Sequence, residues 1–219
     1  MITIDGPAGA GKSTAARELA RQLGFRLVDT GAMYRALALR ALEAGVEPSE
    51  GPELRTLLAE SLLELRNGRI LLNGRDISDE IRTPKIGALT SRLTTLPSVR
   101  EKATPIQREL ASGGGVVLEG RDTGSVVCPE ADLKFFLDAS QEVRVLRRMR
   151  DLEGRGTPRG LDEVTAELDA RDRQDWSREL APLVIPEGAT VIDSTNLSVN
   201  QVVQHMLAEV ERFRCSTRS

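Results

Sequence analysis

The sequence is poor in aromatic residues, cysteine and histidine, and each shortage excludes a class of protein. Aromatic residues make up 3% of the 219 positions, too few for the stacking platforms on which single-stranded nucleic acid binds. Cys128 and Cys215 show neither CxxC spacing nor clustered histidines, which argues against a disulfide framework and a zinc site. With His205 as its one histidine, the chain gives little support to a mechanism based on that residue type.

An excess of one charge and long apolar runs are lacking as well. Lysine and arginine number 30 against 33 acidic residues, so a net charge of −3 provides no overall field to attract nucleic acid or anionic membranes. There is no run of 18 apolar residues, and a predicted strand at residues 2–5 leaves no room for a signal peptide. We expect a cytoplasmic monomer that binds neither nucleic acid nor a membrane.

The first fourteen residues contain the strongest motif. The apolar segment MITID leads into GPAGAGKS at residues 6–13, which matches G-x-x-x-x-G-K-[ST], and an amphipathic segment follows. Such a loop turns its N–H groups around a triphosphate at the positive end of a helix. Lys12 would bridge the outer phosphates and Ser13 would hold Mg²⁺, whereas a plain glycine-rich turn explains neither residue. The predicted ATP-binding residues are Gly6, Pro7, Ala8, Gly9, Ala10, Gly11, Lys12, Ser13 and Thr14.

Short apolar segments alternate with helical patterns over most of the chain. This alternation predicts an α/β fold in three layers, with a five-stranded parallel sheet whose ligands bind beyond the carboxyl ends of the strands. The predicted strands lie at residues 2–5, 25–29, 116–119, 132–137 and 191–193. The predicted helices of this core lie at 13–23, 32–44, 141–152 and 198–213, followed by a tail at 214–219 that we expect to fray.

Residues 46–110 interrupt the alternation and are predicted to form an inserted lobe. A helix is expected at 54–65, and the pair Asn73-Gly74 between 69–72 and 75–77 indicates a hairpin that a short strand near 63–66 would join. Two more helices are expected at 85–95 and 97–112. The core would then comprise residues 1–45 and 111–219, with a short lid at about 150–162.

Arginines gather near the predicted lid. Arg144, Arg147 and Arg148 share a helix face, Arg150 follows, and the chain enters the glycine-rich segment GRGTPRG at 154–160. Guanidinium groups on a mobile lid suit phosphoryl transfer, whose transition state spreads negative charge over equatorial oxygens. The alternative is a solvated basic helix end that balances the helix dipole.

A second helical stripe changes from apolar to charged along its length. Its members are spaced by three and four residues: Leu161, Val164, Leu168, Arg171, Asp175 and Arg178. Buried charges are costly unless they are paired or bind a ligand, so the stripe predicts a helix that runs from the core into a polar cleft. The alternative is that the helix leaves the protein near Asp169 and the charges are solvated.

Two loops that follow predicted strands suit a second, anionic substrate. They are DTGAMYR at residues 29–35 and EGRDTG at 119–124. The acid that completes a Mg²⁺ site stays open, because four strands end in a carboxylate: Asp29, Glu119, Asp138 and Asp193. We favour Glu119, acting through water.

With these segments assembled, the chain resembles the bacterial cytidylate kinases over essentially residues 1–210. The matching stretches are ITIDGPAGAGKST, DTGAMYR, DISDEIRT, LEGRDTGSVV, FFLDAS, RDRQDWSRELAPL and VIDSTNLS. The resemblance implies a P-loop kinase core, an inserted lobe that binds the nucleoside monophosphate (NMP), and a short arginine-bearing lid. It also implies transfer of a phosphoryl group from ATP, bound with Mg²⁺, to CMP or dCMP.

The resemblance assigns roles that spacing alone does not give. Arg35 and Arg121 match the clamp on the acceptor phosphate. The positions that match cytosine recognition are Thr30, Arg100, Asp122 and Arg178, and those around the sugar are Ser91, Arg171 and Asp175. Thr30 stands where serine is common in the family, and it keeps the hydroxyl group. Lys12, Arg121, Arg148 and Arg155 are expected to act on the transferred phosphoryl group.

Three other readings compete with this one. Shikimate kinase shares a glycine run before a strand and the DT pair after the second strand, but the insertion at 46–110 argues against it. A rival from another class is a GTPase-like switch or a nucleotide-binding regulator without turnover, but the N-K-x-D signature for guanine is absent from the sequence. A nucleic-acid-binding ATPase is disfavoured by the charge and by the aromatic content.

Overall fold

The computed structural model describes residues 1–66 and 68–216, and it confirms the predicted five-stranded parallel sheet. The strands are β1 (Ile2–Asp5), β2 (Arg26–Asp29), β6 (Val116–Glu119), β7 (Leu133–Asp138) and β8 (Thr190–Asp193), in the order β2-β6-β1-β7-β8. In β1, Ile4 is opposite Glu119 of β6 and Phe135 of β7, so β1 and β6 end within one residue of each other and β7 continues two residues beyond β1. The central strands β1 and β6 are buried throughout, whereas the edge strands β2 and β8 are partly exposed.

Described residues group into two compact units, which we treat separately. The first contains Met1–Leu27, Gly115–Ser177 and the chain from Ala181 onward. Its helices are α1 (Lys12–Leu23), α6 (Gln141–Gly154), α7 (Leu161–Ser177) and α8 (Val199–Ser216). Helix α1 packs on β6 and α8, and the side chain of Leu19 is fully buried among the apolar residues of β1, β7 and α8. Burial of such a leucine stabilises the fold by roughly 1.5–3 kcal/mol.

The boundaries in the first unit agree closely with the sequence prediction. Gly24 ends α1 in the left-handed conformation, with φ of 67°, and its N–H donates to carbonyl groups of the last turn. Helix α8 continues to Ser216, beyond the predicted end at 213, so residues 214–216 do not fray. The last three residues of the predicted tail, 217–219, lie outside the described part of the chain. Thr123–Val127 forms a π-helical turn that the sequence analysis did not predict.

The second unit contains Val28–Gly114 together with Arg178–Leu180. Its helices are α2 (Thr30–Ala44), α3 (Pro52–Ala59), α4 (Pro84–Leu93) and α5 (Pro97–Ser112), with a short 3-10 turn at Glu80–Arg82. Its antiparallel sheet contains β3 (Leu63–Arg66), β4 (Arg69–Leu72) and β5 (Arg75–Asp76) in sequence order. Helix α2 is the apolar centre of this unit, because it packs against α3, α4, α5 and β4.

The predicted hairpin is present, and its turn explains a wrong prediction nearby. Asn73 and Gly74 both have positive φ, 51° and 80°, as a tight turn between twisted strands requires. The side chain of Asn73 accepts a hydrogen bond from Leu62 N at 2.7 Å, and Asn73 N donates to Leu62 O at 2.9 Å. Leu62 is therefore fixed beside the turn, so α3 ends at Ala59 and not at residue 65.

Helix α2 begins two residues earlier than predicted. Asp29 is its N-cap, because the carboxylate accepts a hydrogen bond from Ala32 N at 2.8 Å, and Thr30 lies inside the helix. The whole of α2 belongs to the second unit, whereas the sequence analysis placed the boundary of the inserted lobe at residue 46. Within the described ranges, none of the helices combines the length and apolar character needed to span a membrane.

Candidate functional site

The glycine loop between β1 and α1 has the backbone that its motif predicts. Gly6, Gly9 and Gly11 have φ of 144°, 79° and 92°, values that side chains disfavour. A Cβ at Gly6 would lie 2.0 Å from Leu137 O, so no other residue fits there. Helix α1 begins at Lys12 with no side-chain cap and no acid in its first turn, and Ser13 and Thr14 are exposed. A helix end of this kind can bind an anion.

Two arginines of α6 hold the loop through its carbonyl groups. Arg144 donates to Ala8 O at 3.0 Å, and Arg147 donates to Ala10 O at 3.3 Å. A trans peptide points its N–H and C=O in opposite directions, so anchored carbonyls direct the neighbouring N–H groups away from α6. The solvated helix end considered as an alternative is therefore wrong for both residues. Nor are they lid residues, because they are tied to the loop.

Lys12 is buried beside several charged groups of the same unit. Its Nζ donates to Pro7 O at 2.7 Å, and the residue is 5% exposed. Burial and the charges of Arg121 and Arg171 together lower the pKa of Lys12 from 10.5 to about 7, although the charges of Glu119 and Asp175 oppose the change. Lys12 is thus an electrostatic neighbour of four residues that the sequence analysis assigned to the site.

The loop after β6 brings an arginine and a carboxylate of α7 together. Arg121 Nε donates to Asp175 Oδ2 at 2.9 Å, and Arg121 Nη1 donates to Gly120 O at 3.2 Å. Burial disfavours the charge on Arg121, but the charge and hydrogen bond of Asp175 outweigh it, and the pKa of Arg121 is raised. The neighbouring Asp122 is buried and directly precedes the π-helical turn.

Helix α7 confirms part of its predicted stripe. Val164 and Leu168 are buried in an apolar cluster with Ala8, and Asp175 is 6% exposed, which rules out the solvated helix end for that residue. At the two ends of the stripe the structure differs from the prediction, although Arg178 is buried as predicted. Leu161 is 54% exposed because it is the first residue of the helix, and Arg178 follows the last helical residue and belongs to the second unit.

The two arginines at or near the lid that are predicted to act in catalysis, Arg148 and Arg155, differ in their surroundings. Arg148 donates to Glu167 of α7 at 3.1 Å, and Arg159 pairs with the same carboxylate. Arg155 is exposed directly after the end of α6, where Gly156 has φ of 71°. The segment 155–160 between α6 and α7 is thus short and glycine-bearing, as predicted for a lid.

The second unit holds five of the predicted CMP-binding residues. They are Thr30 and Arg35 on α2, Ser91 on α4, Arg100 on α5, and Arg178. The guanidinium of Arg100 lies over the ring of Tyr34, 5.7 Å from its centroid, and Arg100 Nε donates to Thr94 O at 2.8 Å. Arg35 donates to Ile81 O at 3.3 Å. Thr30, Arg100 and Arg178 are buried, whereas Arg35 and Ser91 are half-buried.

The acids that end β2, β7 and β8 have local hydrogen-bond partners. Asp29 caps α2 and lies 3.6 Å from Arg82, and Asp138 accepts from Ala139 N at 2.8 Å. Asp193 accepts from the hydroxyl and the backbone of Thr195, which lower the pKa of Asp193. Glu119 is buried and acts on the charges of Lys12 and Arg121. Within the described ranges, no cluster of three His, Cys, Asp or Glu side chains could hold a metal ion.

Comparison with known proteins decides the family. A sequence model of the cytidylate kinases matches residues 2–212. A cytidylate kinase of Geobacter sulfurreducens is 47% identical over 221 residues, covering 99% of this chain and 95% of its own. That of Pelotomaculum thermopropionicum is 45% identical over 97% of this chain and 96% of its own.

The chain belongs to the cytidylate kinase family. Its fold is shared more widely among P-loop kinases. A shikimate kinase of Bacteroides thetaiotaomicron superposes with a TM-score of 0.51 at 16% identity, covering 96% of this chain and 97% of its own. A gluconokinase of Sinorhizobium meliloti has a TM-score of 0.50 at 16% identity, covering 100% and 96%. At such identity these likenesses concern the fold alone, and the fold does not distinguish the cytidylate kinase family from shikimate kinases.

The sequence analysis did not identify one buried acid of this cytidylate kinase, Asp5. Asp5 is fully buried at the end of β1 and accepts hydrogen bonds from Thr123 N, Thr123 Oγ1 and Gly124 N at 2.9, 2.8 and 2.7 Å. Burial raises the pKa of Asp5, and these hydrogen bonds, which act in the opposite direction, offset only part of the increase. The signal was available, because Asp5 ends an apolar strand as the other four acids do.

Proposed function

We propose that this chain transfers the γ-phosphoryl group of ATP to CMP or dCMP, forming ADP and CDP or dCDP by direct in-line displacement. The main observation that supports this proposal is the position of Lys12 of the glycine loop, which is buried and interacts with the charges of Arg121, Glu119, Arg171 and Asp175. Groups expected on the ATP side and on the acceptor side thereby influence one another within one unit. The names and high identity of the relatives support the substrate class.

On this proposal, the donor half is the loop of residues 6–14. The uncapped end of α1 and the N–H groups directed away from α6 would bind the phosphates, while the Lys12 ammonium would follow the phosphoryl group as it moves. Arg148 on α6 and Arg155 in the lid would add positive charge. For Arg148 this requires exchange of its Glu167 partner for a phosphate oxygen.

The acceptor half would use the remaining predicted residues. Arg35 and Arg121 would hold the acceptor phosphate, Thr30, Arg100, Asp122 and Arg178 would recognise cytosine, and Ser91, Arg171 and Asp175 would bind the sugar. We propose that residues 46–110 act as the NMP-binding lobe and residues 150–162 as the lid of a core made of 1–45 and 111–219. An acceptor phosphate oxygen is already a nucleophile, so no general base is required.

The oxygen groups available to a metal ion suit Mg²⁺. Ser13 is exposed at the start of α1, and the carboxylate of Glu119 interacts with the charge on Lys12. A hydroxyl and a carboxylate are hard oxygen ligands, and Mg²⁺ usually takes one or two such groups with substrate phosphates and water. Bound there with ATP, the ion would supply charge stabilisation to the phosphates. We further propose that the enzyme is a cytoplasmic monomer that binds neither nucleic acid nor a membrane; the net charge of −3 and the low aromatic content support the absence of a nucleic-acid partner.

A coupled assay of ATP consumption tests the proposal. Purified chain is given ATP and Mg²⁺ with CMP, dCMP, UMP, AMP, GMP or shikimate in parallel, and the products are separated by chromatography. We expect the highest kcat/KM with CMP or dCMP, loss of turnover with EDTA, and loss of most turnover in a folded Lys12→Ala variant. Preference for shikimate or a purine monophosphate would overturn the substrate assignment, and near-normal kcat in Lys12→Ala would overturn the assignment of the loop.

A further inference from the structure

The loop that carries Arg121 is attached to the end of β1 at two points. Before Arg121, Gly120 N donates to Ile4 O at 3.0 Å. After it, three donors from Thr123 and Gly124 converge on the carboxylate of Asp5. Arg121 and Asp122 thus lie on a short span whose two ends are both fixed to β1, and Asp5 provides three of the four hydrogen bonds.

We propose that Asp5 is a positioning residue for acceptor phosphorylation, which holds the Arg121 loop in the geometry that places the Arg121 guanidinium. The inference rests on the proposed function, since it takes Arg121 as a clamp on the acceptor phosphate. Asp5 does not itself touch a substrate. Its carboxylate has two oxygen acceptors, both of which are used by the loop, so the group is matched to this task.

The packing around the loop leaves it little freedom to adopt another path. A Cβ at Gly124 would lie 2.6 Å from Thr3 Oγ1, 3.1 Å from Pro186 Cγ and 3.4 Å from Asp5 Oδ2. Only glycine allows the backbone to approach β1 this closely. This close approach allows Gly124 N to donate a hydrogen bond to Asp5 at 2.7 Å, so the packing of the backbone and the carboxylate of Asp5 fix the same part of the loop.

The ATP loop has anchors of its own, although it begins at the residue after Asp5. Lys12 holds Pro7 O, Arg144 holds Ala8 O and Arg147 holds Ala10 O. Loss of the Asp5 carboxylate removes none of these bonds. A change at Asp5 is therefore expected to affect the kinetics of the acceptor more than the KM for ATP.

The test uses Asp5→Asn, whose amide NH₂ would face an N–H donor of the loop. We expect kcat/KM for CMP to fall about tenfold or more, while the KM for ATP changes by about twofold or less. Thr123→Val is the second variant, because it removes one hydrogen bond to Asp5 while keeping the side-chain shape. Thr123→Ser is its matched control, and it should retain about the wild-type kcat/KM because the hydroxyl is preserved.

A double-mutant cycle with Arg121→Lys separates positioning from a general loss of structure. If Asp5 acts through the guanidinium of Arg121, Asp5→Asn should cost about threefold or less in the Arg121→Lys background. An equal loss in both backgrounds, or equal effects on CMP and ATP, would overturn the proposal. Should Asp5→Asn fail to fold, Thr123→Val enters the same cycle. Failure of the proposed function is distinguishable, because wild-type protein would then show no preference for CMP before any variant is compared.

Discussion

Raising the pH should weaken ATP binding, because Lys12 must be charged to hold phosphate. In the free protein, burial and the neighbouring arginines lower the pKa of Lys12 to about 7. Phosphates placed against the ammonium would raise that pKa again, since an opposite charge favours the protonated form. Between the two pKa values, binding takes up a proton, and the dissociation constant rises with pH.

The magnitude follows from the fraction of free protein that carries the charge. With a pKa of about 7, roughly half of Lys12 is protonated at about pH 7, a tenth at about pH 8 and a hundredth at about pH 9. The dissociation constant of an ATP analogue should therefore rise about fivefold over the first interval and about tenfold over the second. At about pH 8, binding should take up about 0.9 proton.

Isothermal titration calorimetry with a non-hydrolysable ATP analogue measures both quantities. Proton uptake is obtained from buffers of different ionisation enthalpy, and Lys12→Met is the matched control that lacks the titrating group. The control should bind more weakly, with little dependence on pH above about pH 8, where the phosphates are fully ionised. Equal proton uptake by both proteins, or a wild-type dissociation constant that is unchanged between about pH 8 and pH 9, would refute the reasoning.

Ligand-free stability should respond to the same group with the opposite sign. An unfolded Lys12 binds its proton up to a pKa near 10.5, so the unfolded state holds more protons than the folded state above about pH 7. Relative to Lys12→Met, the free energy of unfolding of the wild type should rise by up to about 1.4 kcal/mol per pH unit between those values. Urea titrations across this range test the sign, and a difference that falls with pH would contradict it.

Three further predictions concern separate parts of the fold. Asp175→Ala removes the hydrogen-bond partner of Arg121 Nε, so the KM for CMP should rise about tenfold more than the KM for ATP. Steady-state kinetics measures both constants, and equal changes in the two would count against a role of Asp175 in acceptor binding. Leu19→Ala should lower the free energy of unfolding by about 2–5 kcal/mol in urea denaturation, because the side chain is fully buried; a loss below about 1 kcal/mol would contradict its place in the core. Gly74→Ala places a Cβ where no atom obstructs it, but φ at this position is 80°, which side chains disfavour. The free energy of unfolding should therefore fall by about 1–2 kcal/mol. An unchanged urea midpoint would argue against the strained turn.

Short-range sequence patterns predicted the nucleotide loop, the hairpin and all five parallel strands. Each depends on residues close together in the chain: glycines where φ is positive, Asn73-Gly74 at a tight turn, and short apolar runs. The family followed from longer motifs, which the comparisons confirm. The roles of individual CMP-binding residues stay predictions, since no local rule fixes which group meets which substrate atom.

What the sequence failed to predict depends on contacts between distant segments. Helical periodicity continues in the sequence past Ala59. The side chain of Asn73, eleven residues after Leu62, accepts a hydrogen bond from Leu62 N, and α3 ends at Ala59. The arginines of α6 show a shared face, yet only the folded chain reveals that Arg144 holds the carbonyl of Ala8, 136 residues earlier. Asp5 was overlooked for the same reason, because its partners lie more than a hundred residues further along.

The position of β1 in the sheet determines when the ATP loop can be completed during synthesis. β1 precedes the other described strands in the sequence, yet both of its neighbours, β6 and β7, lie after residue 115. Residues 28–114, in contrast, form a nearly continuous unit whose contacts are closer in sequence. During translation, residues 28–114 therefore leave the ribosome before β6 and β7 exist, so nearly all of the second unit is synthesised while the glycine loop still lacks its sheet. The glycine loop can therefore gain its binding shape only after β6 and β7 have been synthesised, more than a hundred residues later in the sequence.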